Sequence, residues 1–140
     1  MNKFLLFFLL LMFALGACSS ETPSKTITGS AVSVAGASYL NITPAELNSM
    51  LANKDFVFVN VHIPFAGNIA NTDLSIPYDL IEQNLTKLPA NKNAKIVLYC
   101  RSGRMSTMAA ETLVKLGYTN LWNLDGGMVA WEQAGYEIGQ

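Results

Sequence analysis

Lys95-Ile96-Val97-Leu98-Tyr99-Cys100-Arg101-Ser102-Gly103-Arg104-Met105-Ser106 is the stretch that decides the fold. It begins as a short, continuous apolar run with β-branched and aromatic residues, which predicts a strand buried on both faces. From about Ser102 the residues Met105, Met108, Ala109, Leu113 and Leu116 take helical spacing, with Lys115 in the last turn and Gly117 placed to stop the helix. A buried strand running through a Cys into a helix is one unit of a parallel, helix-covered sheet. Cys100 then sits beyond the carboxyl end of its strand, where such sheets bind ligands.

The alternation extends both ways. Thr43-Pro44-Ala45-Glu46 has the capping-box arrangement and predicts a helix to about Ala52. Phe56-Val57-Phe58-Val59-Asn60-Val61 predicts a second buried strand, and the aperiodic segment from His62 to Ser75 a long loop. Asp79-Leu80-Ile81-Glu82 reads as an acidic N-cap opening a short helix before Pro89. Leu121-Trp122-Asn123-Leu124 predicts a third strand. Asp125-Gly126-Gly127 then turns into a final helix carrying Met128, Val129 and Trp131 and stopped near Gly135. Trp122 and Trp131 are expected in the core. The fold class is α/β in three layers, a central, mostly parallel sheet with helices on both faces, spanning residues 39–140.

Ahead of that domain the composition is different. The chain has 140 residues, 51% apolar and 14% charged, with a formal net charge of -1. Nine Lys and Arg against ten Asp and Glu exclude a basic nucleic-acid binder, so no nucleic-acid partner is expected. The apolar content excludes a disordered chain. Fourteen of the first seventeen residues are apolar, and the run from Phe4 to Leu15 is too short for a membrane-spanning helix of about twenty residues. It reads as the hydrophobic part of a secretory signal over residues 1–17. Leu15-Gly16-Ala17-Cys18 resembles the bacterial lipoprotein signal, which implies that Cys18 becomes a lipidated N-terminus. Residues 18–38, rich in Ser, Thr, Ala and Gly, are expected to be a flexible tether between a membrane and the domain. The expected location is the cell envelope. In a cell with two membranes, the resemblance to lipoprotein signals implies that Ser19 after the Cys favours the periplasmic face of the outer one, and otherwise the outer face of the cytoplasmic membrane.

With Cys18 consumed by lipid, Cys100 has no intramolecular partner. Its loop is built for anions. Backbone N–H groups that open a helix are unpaired and can converge on one point, and the helix dipole adds positive character. Arg101 and Arg104 are the only arginines in the chain, and guanidinium binds oxyanions in a forked geometry that Lys cannot reproduce. Such a cradle favours the thiolate of a neighbouring Cys. Gly103 allows close approach or positive φ.

These residues, with Leu116-Gly117-Tyr118 at a helix end and Leu124-Asp125-Gly126-Gly127 followed by Trp131 and Ala134-Gly135, resemble the single-domain rhodanese-like proteins. The resemblance implies a sulfurtransferase. Cys100 would be the nucleophile, taking sulfane sulfur from a donor such as thiosulfate, holding it as a persulfide and passing it to a thiol or cyanide. It also implies substrate binding by Arg101, Ser102, Gly103, Arg104, Met105 and Ser106, with Arg101 and Arg104 facing an anion. Two stretches depart from the family pattern. Asn60-Val61-His62 stands where an acidic residue, any residue and Arg are usual, and Gly67-Asn68-Ile69-Ala70-Asn71-Thr72 replaces a Gly-His-Ile-Pro-Gly-Ala stretch. His62, the only His, is either a loop-packing residue or a proton shuttle near the pocket.

Other chemistries fit less well. Cys-dependent phosphatases of the same fold need an Arg six positions after the Cys, and that position is Ser106. No Cys-x-x-Cys supports thioredoxin-like exchange, and one free Cys with one His provides no metal-ligand set, so no cofactor is expected. The remaining alternative is a lipid-anchored binding or sulfur-sensing module of the same fold, with protein partners and Cys100 either inert or serving as a sensor.

Overall fold

A computed structural model describes residues 26–139. The signal expected at 1–17 and the lipidation expected at Cys18 fall outside the described residues. Nine regular elements follow in chain order: strands β1 (Ser30–Val34) and β2 (Ala37–Ile42), helix α1 (Pro44–Leu51), strands β3 (Val57–Asn60), β4 (Leu74–Ser75) and β5 (Ile96–Tyr99), helix α2 (Arg104–Lys115), strand β6 (Leu121–Leu124) and helix α3 (Gly127–Gln133). The six strands form one sheet in the order β1-β2-β6-β5-β3-β4. Only the β1–β2 pair is antiparallel. No helix among the described residues is long and apolar enough to cross a membrane.

Strand alternation sorts the core into two halves. In β5, Ile96 and Leu98 pack on the α2 side with Ala109, Ala110 and Leu113. Val97 and Tyr99 pack on the opposite side with Leu47 of α1 and Met128 and Trp131 of α3. Continuing the alternation, Cys100 belongs to the α2 side. The sheet is therefore covered on both faces, as expected, and the period-2 rule aims the thiol at the start of α2.

Two local readings change. Residues 30–38, expected to be tether, form most of a β-hairpin, with Ala35 and Gly36 at positive φ in the turn. Val32, Val34 and Tyr39 reach the core, while the small residues Ser30, Ala31 and Ser33 between them are exposed and give the strand its linker-like composition. The domain thus begins near Ser30 rather than Tyr39. The helix expected from Asp79 is instead two 3-10 segments, Tyr78–Leu80 and Glu82–Lys87, without a side-chain cap. The Asn84 side chain donates to the Leu80 carbonyl at 2.8 Å, taking the acceptor that an α-helical Asn84 N–H would use. By contrast the Thr43 capping box forms as read, and Gly117 ends α2 at φ 88.

Candidate active site

The loop from β5 to α2 owes its shape to three glycines. Gly103, at φ 94, is the N-cap of α2, and its N–H donates to Cys100 Sγ at 3.1 Å. The Ser106 hydroxyl, fully buried, lies 3.4 Å from Sγ and 3.1 Å from the Gly103 carbonyl, able to donate to either. Gly126 and Gly127 bring the start of α3 against the loop from the other side. Met128 N–H donates to the Cys100 carbonyl and Val129 N–H to the Arg101 carbonyl, both at 2.9 Å. A Cβ on Gly127 would stand 2.3 Å from the Cys100 oxygen, so only glycine allows this approach.

The first turn of α3 thereby occupies the Cys100 and Arg101 carbonyls, while most of the loop's N–H groups are left over. Among the described residues, none of the N–H groups of Arg101, Ser102, Arg104, Met105 and Ser106 has a hydrogen-bond acceptor. They belong to the loop that carries Cys100 and to the N-terminus of a twelve-residue helix, where partial positive charge is concentrated. The arrangement suits a sulfur anion.

The predicted site residues divide by role. Cys100 is 1% exposed at the centre. Arg101, Ser102 and Arg104 are exposed, and Gly103 is buried. The Met105 side chain packs against the core, leaving only its backbone for the cradle. Ser106 supports the thiol from inside. Arg101 also lines a cavity of about 130 Å³ with Ala66, Met128, Glu132 and Ile138.

The two unusual stretches brace the neighbouring 62–72 loop and tie it to Tyr99 at the end of β5. Asn60, 1% exposed, donates to the Gly67 carbonyl at 3.0 Å and to Asn68 Oδ1 at 2.9 Å, and accepts from His62 N–H at 3.0 Å. Tyr99 Oη donates to Asn68 Oδ1, accepts from Ile69 N–H at 3.1 Å and lies 2.7 Å from Thr72 Oγ1. Burial pushes the Tyr99 phenol's pKa up, so it stays neutral and keeps its proton to donate. His62 lies just past β3. Extending the Asn60–Tyr99 pairing by two residues sets it beside Arg101. Burial and then the Arg101 charge lower its pKa, and its Nδ1 is buried without a partner. The imidazole is neutral at neutral pH. Sequence reading singled out Asn60 and Asn68 as departures from the family pattern but missed their link to Tyr99; it also missed the carbonyl capture at Gly127, for which the Gly126-Gly127 pair carried the signal.

A family model described as "Rhodanese-like domain" matches residues 43–134. The chain belongs to the rhodanese-like family. A sulfurtransferase from Allochromatium vinosum is 33% identical over 100 residues, 69% of this chain and 92% of that one. The crystal structure of a rhodanese-like domain protein from Staphylococcus aureus superposes with a TM-score of 0.59 at 35% identity, covering 71% of this chain and 98% of that one. A tRNA uridine(34) hydroxylase from Escherichia coli is 28% identical over 101 residues, and this chain spans only 29% of its length. The rhodanese-like domain here thus has a relative of its own size named a sulfurtransferase, and others in which it is one part of a larger protein.

Proposed function

We propose that the protein is a cell-envelope sulfurtransferase that carries sulfane sulfur on Cys100. The supporting observation is the sulfur's environment: Sγ accepts from Gly103 N–H and lies within reach of the Ser106 hydroxyl, in a loop that also carries unpaired N–H groups and two exposed arginines. With thiosulfate, the Cys100 thiolate attacks the outer sulfur. A new S–S bond forms, and the donor's S–S bond breaks with its electron pair leaving on sulfite. Cyanide then attacks the outer sulfur of the persulfide, taking it as thiocyanate and returning the thiolate. The N–H groups and the Arg101 and Arg104 guanidiniums offset the negative charge present throughout.

Intact-mass measurement tests this. Incubation with thiosulfate or a polysulfide should add one sulfur mass to the wild-type chain, cyanide should remove it, and Cys100→Ser should show neither. The near-complete burial of Cys100 favours a second reading, a non-enzymatic binding module with an inert thiol. Absence of the adduct across several donors would establish that reading instead. The envelope location rests on the proposed lipid at Cys18, so Cys18→Ser should release the protein from the membrane fraction; unchanged retention would refute the anchor.

A further inference from the structure

The cavity beside the loop holds opposite charges that do not meet. It is about 130 Å³ and is lined by Ala66, Arg101, Met128, Glu132 and Ile138. That is well below the roughly 300–1,000 Å³ of sites for drug-sized ligands and suits a small polar head group. Met128 and Glu132 are one turn apart on α3, so they share a face. The hydrogen bond from Val129 N–H to the Arg101 carbonyl ties that helix to the loop. Ion pairs among the described residues join Lys54 to Asp73 and Lys95 to Asp55, and neither Arg101 nor Glu132 takes part in one. His62, beside Arg101, is neutral and leaves the guanidinium uncompensated.

A simple anion at Arg101 would be repelled by Glu132, and a simple amine at Glu132 by Arg101. A zwitterion satisfies both. We infer that this cavity is a subsite for the α-amino acid group of a thiol acceptor, its carboxylate on Arg101 and its ammonium on Glu132, with Ala66, Met128 and Ile138 against its methylenes. The inference deepens the sulfurtransferase reading by naming the acceptor class and rests on that reading for the reaction, although the binding itself does not require it. Arg101 directly follows Cys100, and the N–H of Met128 in the cavity wall donates to the Cys100 carbonyl, so the cavity adjoins the backbone of the residue that would carry the sulfur. The acceptor thiolate attacks the outer sulfur, a new S–S bond forms, and the Cys100–sulfur bond breaks with its electron pair on Cys100. The acceptor departs as its own persulfide.

Binding is measured by calorimetry on the full chain carrying Cys100→Ser, with unreactive S-methyl probes. S-methylcysteine and S-methylglutathione carry the zwitterion; the S-methyl derivatives of 3-mercaptopropionate and cysteamine lack the ammonium and the carboxylate respectively. At least one zwitterionic probe should bind about 1.5- to fivefold more tightly than either truncated probe, the range expected of exposed charge pairs. Glu132→Gln should abolish the ammonium preference, and Arg101→Gln the carboxylate preference. Comparing the two zwitterionic probes distinguishes a head group next to the thiol from one on a γ-glutamyl spacer. Equal binding of all four probes, binding of none, or an ammonium preference that survives Glu132→Gln would overturn the subsite. Because Cys100 is absent, a protein that never forms a persulfide yet keeps the zwitterion preference would sink the sulfurtransferase reading alone.

Discussion

Replacing Gly127 by Ala tests whether the start of α3 holds the sulfur loop in shape. The added Cβ would lie 2.3 Å from the Cys100 carbonyl oxygen and 2.8 Å from both the carbonyl carbon and the oxygen of Arg101. These are backbone atoms, so relief requires moving the loop or the helix. An L-residue at φ 58 adds its own strain, about 1–2 kcal/mol. Overpacking contributes about 1–3 kcal/mol. The two hydrogen bonds from Met128 and Val129 to the loop carbonyls weaken as the segments separate, at about 0.5–1.5 kcal/mol each. The sum is at least about 3 kcal/mol, a large part of the ~5–15 kcal/mol that holds a domain of ordinary stability together.

Gly117 supplies the control. It has φ 88, and a Cβ there would meet nothing within 4 Å. Gly117→Ala should lose only the positive-φ term of about 1–2 kcal/mol. Gly103, whose Cβ would stand 3.3 Å from Gly126 N, should fall between the two. In urea, with a slope of about 1–3 kcal/mol/M for a small domain, Gly127→Ala should unfold at a midpoint about 1 M below Gly117→Ala. Whatever Gly127→Ala protein remains folded should also load sulfur from thiosulfate more slowly than Gly117→Ala. Equal midpoints for the two variants, or a normal loading rate in Gly127→Ala, would refute the claim that α3 shapes the loop.

Ser106→Ala removes the hydroxyl 3.4 Å from the thiol; sulfur loading and iodoacetamide alkylation of Cys100 should each slow several-fold, with stability reduced by only about 1 kcal/mol. For Asp73, burial acts upward, but hydrogen bonds from Lys54 at 2.6 Å and Phe58 N–H at 2.7 Å outweigh it, and its carboxyl lies below its ordinary value. A depressed carboxylate stabilises above its unfolded pKa of about 3.9 and loses that stability as pH falls through the folded value; the gap between wild type and Asp73→Asn in urea should therefore shrink below pH ~4. His62 is also depressed, by burial and then by Arg101. Below its unfolded pKa of about 6.5 the unfolded chain binds the proton first, so wild-type stability should fall between pH ~7 and ~5 more steeply than that of His62→Gln.

What the sequence made legible was local. The Thr43 box needs only four consecutive residues, and the strand through Lys95–Tyr99 announces itself by continuous apolarity. The Cys100–Ser106 loop places its Cys, both arginines and Gly103 within seven positions, so its chemistry is readable before its shape. The signals that failed were also local. Asp79 begins a plausible cap, but the side chain of Asn84 takes the Leu80 carbonyl, and that competition depends on rotamers rather than composition. Strand β1 looks like tether because half its residues face solvent, and the valines that make it a strand need the rest of the core to pack against.

The interactions least visible in the sequence are those that join segments distant along the chain, and they govern the site. Asn60 and Asn68 look like departures from a family pattern. In the fold, Asn60 anchors three groups of the 62–68 loop, and Tyr99, the residue before Cys100, completes the chain. A neutral amide can both donate and accept, whereas a carboxylate could only accept. Asp at position 60 would keep the His62 contact but leave the Gly67 carbonyl and Asn68 Oδ1 facing negative charge. Asn60→Asp should therefore loosen the loop that borders Arg101 despite restoring the commoner residue type. Faster hydrogen exchange over residues 67–69 would show this, and unchanged exchange there would mean that the amide's donors carry none of the bracing.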